Sequence, residues 1–251
     1  MQSEFLNLFI LNRFFVILLF FPLLLTAQTE EITWNYPVHP GTEEWKQLDS
    51  FSERLDAFNI PDSILTEITT ENLVKTCLKY PWWILITSRD NNQAGYDYLK
   101  SVFNGFRELE KRKDAGKELL RVYAKMLPEN IDRYTTLVEQ GVFSFQFTYI
   151  EILLAQTNIL KNLDEKNFMH LLKKASSVYK EKSKAFDKFS YYGMANSCLI
   201  LSRILELKAY YEFNMLTNNF PELINFNKKG NSTNKILLDR IYLESTNLFL
   251  K

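Results

Sequence analysis

The stretch VFSFQFTYIEILLAQTNIL, residues 142–160, decides the fold. Its first half alternates, with Phe143, Phe145, Phe147 and Tyr149 set against Ser144, Gln146 and Thr148, which is the period of a half-buried strand. Its second half drops the alternation: Ile150, Ile152, Leu153, Leu154, Ala155, Ile159 and Leu160 make a run too long and too densely apolar for one strand. A helix buried on most sides accommodates both halves. That reading makes the chain helical, because long stretches on either side also repeat apolar residues at three and four rather than two.

Downstream, residues 164–182 read as an amphipathic helix capped by Asp164 and striped by Phe168, Leu171, Leu172, Ala175, Val178 and Tyr179. Residues 189–216 are apolar on nearly every side and mark a central helix. A polar break at Asn227-Lys228-Lys229-Gly230-Asn231 precedes a last helix carrying Ile236, Leu237, Ile241 and Leu248. Upstream, residues 92–111 and 115–127 form a helix pair, with Asp114 expected to cap the second member. Pro128-Glu129 suits the first turn of a following helix, and the seam between two helical lobes is expected near 128. Residues 34–41 form an extended lead-in, because each proline disfavours the α region for the residue before it. Ser50-Phe51-Ser52-Glu53 is a capping box, Pro61-Asp62-Ser63 opens a short helix, and Thr70-Glu71 opens another that ends before Pro81. With only 7 Gly and 7 Pro in 251 residues, the fold class is all-α: an irregular antiparallel array or bundle of about ten helices in a single domain.

The amino terminus carries an address. Residues Phe14–Leu25 are apolar, Arg13 is the only base before them, and Leu25-Thr26-Ala27 resembles a small-residue cleavage end, the layout of a secretory signal peptide over residues 1–27. The uncharged run falls short of the about 20 apolar residues of a spanning helix, so cleavage is favoured over anchoring. The helical domain is then residues 28–251, exported to the periplasm or outside the cell. It touches a membrane only if the segment stays uncleaved. Lys and Arg total 30 and Asp and Glu total 30, so nothing attracts polyanions, and Lys111-Arg112-Lys113 is followed at once by Asp114. Nucleic acid is not an expected partner.

In an oxidising compartment Cys77 and Cys198 are the two thiols available to pair. Each lies in an apolar helical pattern, which favours free, buried cysteines, with a Cys77–Cys198 disulfide as the alternative. Metal and cofactor sites are not implied. His39 and His170 are the only histidines, neither has ligand-like neighbours, and no nucleophile elbow, phosphate loop or dinucleotide turn is present. Glu151 stands alone in an apolar segment; it reads as a general acid, or as a carboxylate that faces solvent or pairs with Arg203 or another helix. Trp34, Tyr36, Trp82 and Trp83 lie in an aromatic-rich first third and read as a partner surface or as core anchors for short helices. Asp62-Ser63-Ile64 and Asn231-Ser232-Thr233 fit glycan-acceptor patterns, and equally fit helix caps.

WNYPVHPGTEEWK (residues 34–46), the following Ile60-Pro61 and FNGFRELEKRKDAG (residues 103–116) resemble a family of exported bacterial proteins of unknown function, with a looser similarity around Met194 to Arg203. The resemblance implies export and an all-helical fold, and it brings no catalytic residues. The functional expectation is a non-enzymatic module of the cell envelope that binds a protein or peptide or acts as a scaffold. The rival is a hydrolase-like enzyme with a scattered, motif-free site.

Overall fold

The computed structural model describes residues 32–248. The signal-peptide run and its cleavage end lie outside the described residues. Among those described there is no strand, and the elements are helical throughout: α1 (Glu43–Lys46), α2 (Phe51–Asp56), α3 (Asp62–Glu67), α4 (Thr70–Leu78), a 3₁₀ segment (Trp83–Ser88), α5 (Asn92–Val102), α6 (Asn104–Leu109), α7 (Ala115–Tyr123), a second 3₁₀ segment (Pro128–Arg133), α8 (Leu137–Leu154), α9 (Thr157–Lys161), α10 (Glu165–Lys184), α11 (Phe186–Lys208), α12 (Tyr210–Asn219), α13 (Glu222–Lys229) and α14 (Lys235–Asn247). The count exceeds ten because sequence periodicity does not resolve short helices that follow one another. Residues 92–111, for example, break between α5 and α6 at Phe103.

Residues 142–160 are helical, as α8 and the short α9. The alternating aromatics do not face one way: Phe143 and Phe147 are buried, while Phe145 and Tyr149 are partly exposed, as an i, i+4 pattern requires. The central helix is α11, which packs against α8, α10 and α14. It is not continuous. Ser190 sits at φ 52°, ψ −175°, where a side chain is strained by about 1–3 kcal/mol, and its Oγ accepts from Tyr192 N–H (3.3 Å), capping the segment that follows. The apolar stretch ends at Lys208, and α12 starts afresh at Tyr210.

Local signals explain most element ends. Ser50 and Glu53 form the capping box of α2, and Thr136 and Glu139 form a second one at α8. Asp164 accepts from Asn167 N–H to start α10. Asp114 does not cap α7; its Oδ1 accepts instead from Thr70 Oγ (2.8 Å) and ties that turn to α4. The 227–231 segment is not all break, since α13 runs to Lys229 and Gly230 ends it at φ 79°, a left-handed cap that glycine adopts without strain. Pro128 begins the second 3₁₀ segment and is buried, and no domain boundary falls there: the described residues form one compact unit around one continuous apolar cluster.

The lead-in lies along α4. Asn72 Nδ2 donates to Ile32 O (3.0 Å), Thr76 Oγ donates to Trp34 O (3.4 Å), and Tyr36 O–H returns a bond to Thr76 O (2.8 Å). Tyr36 itself turns to φ 50° rather than staying extended, and its side chain is buried. No helix among the described residues is long and apolar enough to cross a membrane.

Candidate functional site

The four aromatics of the first third separate into two pairs. Tyr36 and Trp83 are buried and belong to the core. Tyr36 meets Phe58 edge-on at 5.7 Å, and Trp83 stacks on Tyr149 at 4.5 Å while its indole N–H donates to Cys77 O (2.7 Å). Neither has surface for a partner, so the partner-surface reading fails for these two for the physical reason that the short helices need large rings to fill their gaps. Trp34 and Trp82 are half-buried at the edge of the same cluster, and Trp82 stacks on Trp45 at 6.1 Å.

Both cysteines are free and buried. Cys198 Sγ donates to Leu238 O (3.4 Å), and burial raises both thiols well above their ordinary value, so neither is a ready thiolate. His39 and His170 are exposed. No group of three metal-ligating side chains occurs among the described residues. Ser63 and Asn231 of the two acceptor tripeptides are exposed.

Glu151 does not open to solvent, and its cation is not Arg203. It is fully buried and receives Lys182 Nζ on Oε2 at 2.6 Å. Tyr123 O–H (2.8 Å) and Ser197 O–H (2.7 Å) both donate to its Oε1. Lys182 Nζ also donates to Gly193 O (2.9 Å) and Ser197 Oγ (3.1 Å), which accounts for all three ammonium protons. Phe147 and Phe189 cover the cation, with Nζ 4.9 Å and 5.6 Å from their ring centres. Burial lowers the Lys182 ammonium below the ordinary lysine value, with Glu151 opposing the shift. Burial, reinforced by Glu151, holds the Tyr123 phenol well above its own, so it stays a donor. Lys182 was legible in one respect: the stripe Phe168, Leu171, Leu172, Ala175, Val178, Tyr179 continues at its own spacing to position 182.

Arg203 is a separate knot. It donates to Asn227 O (3.1 and 3.0 Å), Ala155 O (2.8 Å) and Gln93 Oε1 (2.8 Å), and burial lowers it to about 10. A polar cleft of about 260 Å³ opens beside it, lined also by Gln156, Glu206 and Lys228. Other clefts are an apolar one of about 280 Å³ between Leu78, Val122, Met126 and Tyr149, and an open one of about 470 Å³ between Tyr191, Tyr192 and residues 231–234.

The surface holds one further feature that composition did not reveal. The start of α8 carries Leu137, Val138 and Val142 at 87, 78 and 58 % exposure, with Gly141 between them. Among the described residues, nothing beyond its own helix backbone and chain neighbours lies within 4 Å of where a Gly141 side chain would begin.

The fold and its sites define an all-α domain with one sealed polar knot at Glu151 and Lys182, a second at Arg203 beside a polar cleft, and an exposed apolar helix face. Comparison with profiles of known protein families, with curated proteins and with solved structures finds no match.

Proposed function

We propose that this chain is an exported, non-enzymatic helical module of the cell envelope that holds a partner protein or peptide on the first half of α8. The observation that carries the reading is the exposed face Leu137, Val138 and Val142, three large apolar side chains on two turns. Glu139, the one charge between them in sequence, is folded back onto Thr136 in the capping box. A helix-interior glycine costs about 0.5–1 kcal/mol relative to alanine. Gly141 has no close neighbour among the described residues to require it, and a helix crossing over that position would. The partner chemistry that fits is an amphipathic helix laying an uncharged stripe across the glycine. The sealing of Glu151, Lys182, Ser197 and Tyr123 supports a non-enzymatic role, since a substrate has no path to them. Export rests on the Phe14–Leu25 run, the Leu25-Thr26-Ala27 end and the resemblance of residues 34–46 and 103–116 to exported proteins.

A photo-crosslinking residue at Val138 tests the docking face in the native envelope. A protein adduct that disappears when Val142→Lys is added is the expected result, and melting should shift by less than about 0.5 kcal/mol for these surface changes. No adduct at Val138 overturns the reading. Amino-terminal sequencing of the envelope protein should begin near Gln28, and an intact Met1 overturns export. The enzyme reading draws on one observation, the Arg203–Glu206 cleft, which brings a cation and a carboxylate together without a nucleophile among its lining side chains beyond Thr157 and Lys228.

A further inference from the structure

We propose that Lys182 and Glu151 condense to an amide, a self-made covalent bond joining α10 to α8. The nucleophile and the carboxyl group are already paired at 2.6 Å in a site where neither has any solvent exposure.

The surroundings suit the reaction and its product. Two hydroxyl donors, Tyr123 and Ser197, converge on Oε1, the atom that becomes the oxyanion of the tetrahedral stage and then the amide carbonyl. Donors aimed at a developing oxyanion inside a dry site are the usual means of speeding acyl transfer. Lys182 Nζ gives one proton to Oε2, and a swing about its last side-chain bonds brings the neutral amine to the Glu151 carboxyl carbon. The C–N bond forms as the carbon–Oε2 bond breaks. Oε2 leaves as water with two of the three ammonium protons, and the third stays on the amide nitrogen. No oxidant or other co-reactant is consumed. The second proton passes from Nζ directly to Oε2, its 2.6 Å partner, as the carbon–Oε2 bond breaks, while Ser197 Oγ, which accepts from Nζ and donates to Oε1, holds the two reacting groups together.

The product fits the same shell. The amide carbonyl keeps the Tyr123 and Ser197 donors, and the single remaining N–H has Gly193 O as its acceptor, so no buried polar atom is orphaned. A buried ion pair carries a desolvation penalty for each ion, and a neutral amide removes it. Phe147 and Phe189 over the nitrogen keep water from returning. With both cysteines unpaired, this bond would be a covalent brace across the core that disulfides do not supply.

Intact mass spectrometry of the purified full chain tests the bond directly. The expected mass is lower by one water than the mass calculated from the amino terminus the purified chain is found to have, and a tryptic digest should contain one branched peptide joining Lys182 to Glu151, uncut after Lys182. Glu151→Gln should give the same branch with loss of one ammonia, and Lys182→Arg should restore the full mass. Wild-type protein that keeps its full mass after prolonged warm incubation at neutral pH overturns the proposal. A water loss mapped to any other residues overturns it as well. Because the wild-type mass is decisive by itself, a variant that fails to fold does not blur the outcome.

Discussion

The two ends of the core solve the same packing problem differently. From the lead-in through α6, helices of 4 to 11 residues are held by rings: Tyr36, Phe58, Tyr80, Phe103 and Phe106 interlock at centroid distances of 4.4 to 6.2 Å. Trp34 Nε1, Arg54 Nε, Tyr80 Oη and Trp82 Nε1 are buried there without a hydrogen-bond partner. Around α8, α10 and α11, helices of 18 to 23 residues bury a lysine, a glutamate, an arginine and several amides, and the groups in the Glu151 and Arg203 knots are bonded, although Ser176 Oγ on α10 and Tyr192 Oη on α11 are also buried without a partner among the described residues. The lesson is that short helices leave gaps between them that large rings fill, with several of the N–H and O–H groups those rings carry left orphaned. Long helices hold a fixed register in which polar side chains can be matched. The aromatic end should therefore respond to lost volume and the long-helix end to lost partners.

The largest effect should come from Lys182→Met. It removes the partner of a fully buried carboxylate, whether the two are joined as ions or as an amide, and breaking such a pair costs about 3–5 kcal/mol. Adding Glu151→Gln should recover part of that loss, because the amide oxygen still accepts from Tyr123 and Ser197 without a charge. Chemical denaturation of the single and double variants checks both expectations. A single variant within about 1 kcal/mol of wild type would break the contrast.

At the aromatic end, Trp83→Ala and Tyr36→Ala should each cost about 3–5 kcal/mol through lost burial and a residual cavity. Trp34→Ala and Trp82→Ala should cost less, since part of each side chain already faces water. Thermal melts of the four variants order them, and equal losses in all four would mean that the cluster is closed on every side.

The same contrast separates what was legible in the sequence from what was not. Helix identity was legible at residues 142–160 because the dense apolar second half outweighs four alternations. Starts at Ser50 and Asp164 were legible because a cap acts through its own backbone neighbours. Asp114 looked like the same signal, but its carboxylate goes to Thr70, 44 residues away, and local patterns hold no trace of that. Glu151 announced itself as an acid in an apolar field. Lys182 did not, because it sits among Lys180 and Lys184 in a basic helix end, and only its phase relative to the stripe turns it inward. The exposed face of α8 was hidden for a different reason: Leu137 and Val138 precede the apolar run that begins at Val142, and apolar side chains do not announce from sequence that a helix leaves them uncovered.

The smallest effects give the sharpest form of the comparison, because one chemical change can be made at both ends. Tyr123→Phe deletes a donor to Glu151 Oε1 in a knot where each oxygen is spoken for, and leaving that acceptor short should cost about 1–3 kcal/mol. Tyr80→Phe deletes a hydroxyl that is buried with no partner, while the ring keeps its stack on Phe103 at 4.4 Å. Removing an unsatisfied group while preserving shape is close to neutral or stabilising, since the desolvation of that hydroxyl is no longer incurred on folding. Equilibrium unfolding of the two variants side by side should thus move in different directions or by clearly different amounts. Equal destabilisation would mean that Tyr80 has a bonded water in solution, and that its hydroxyl is matched as fully as those of the Glu151 knot.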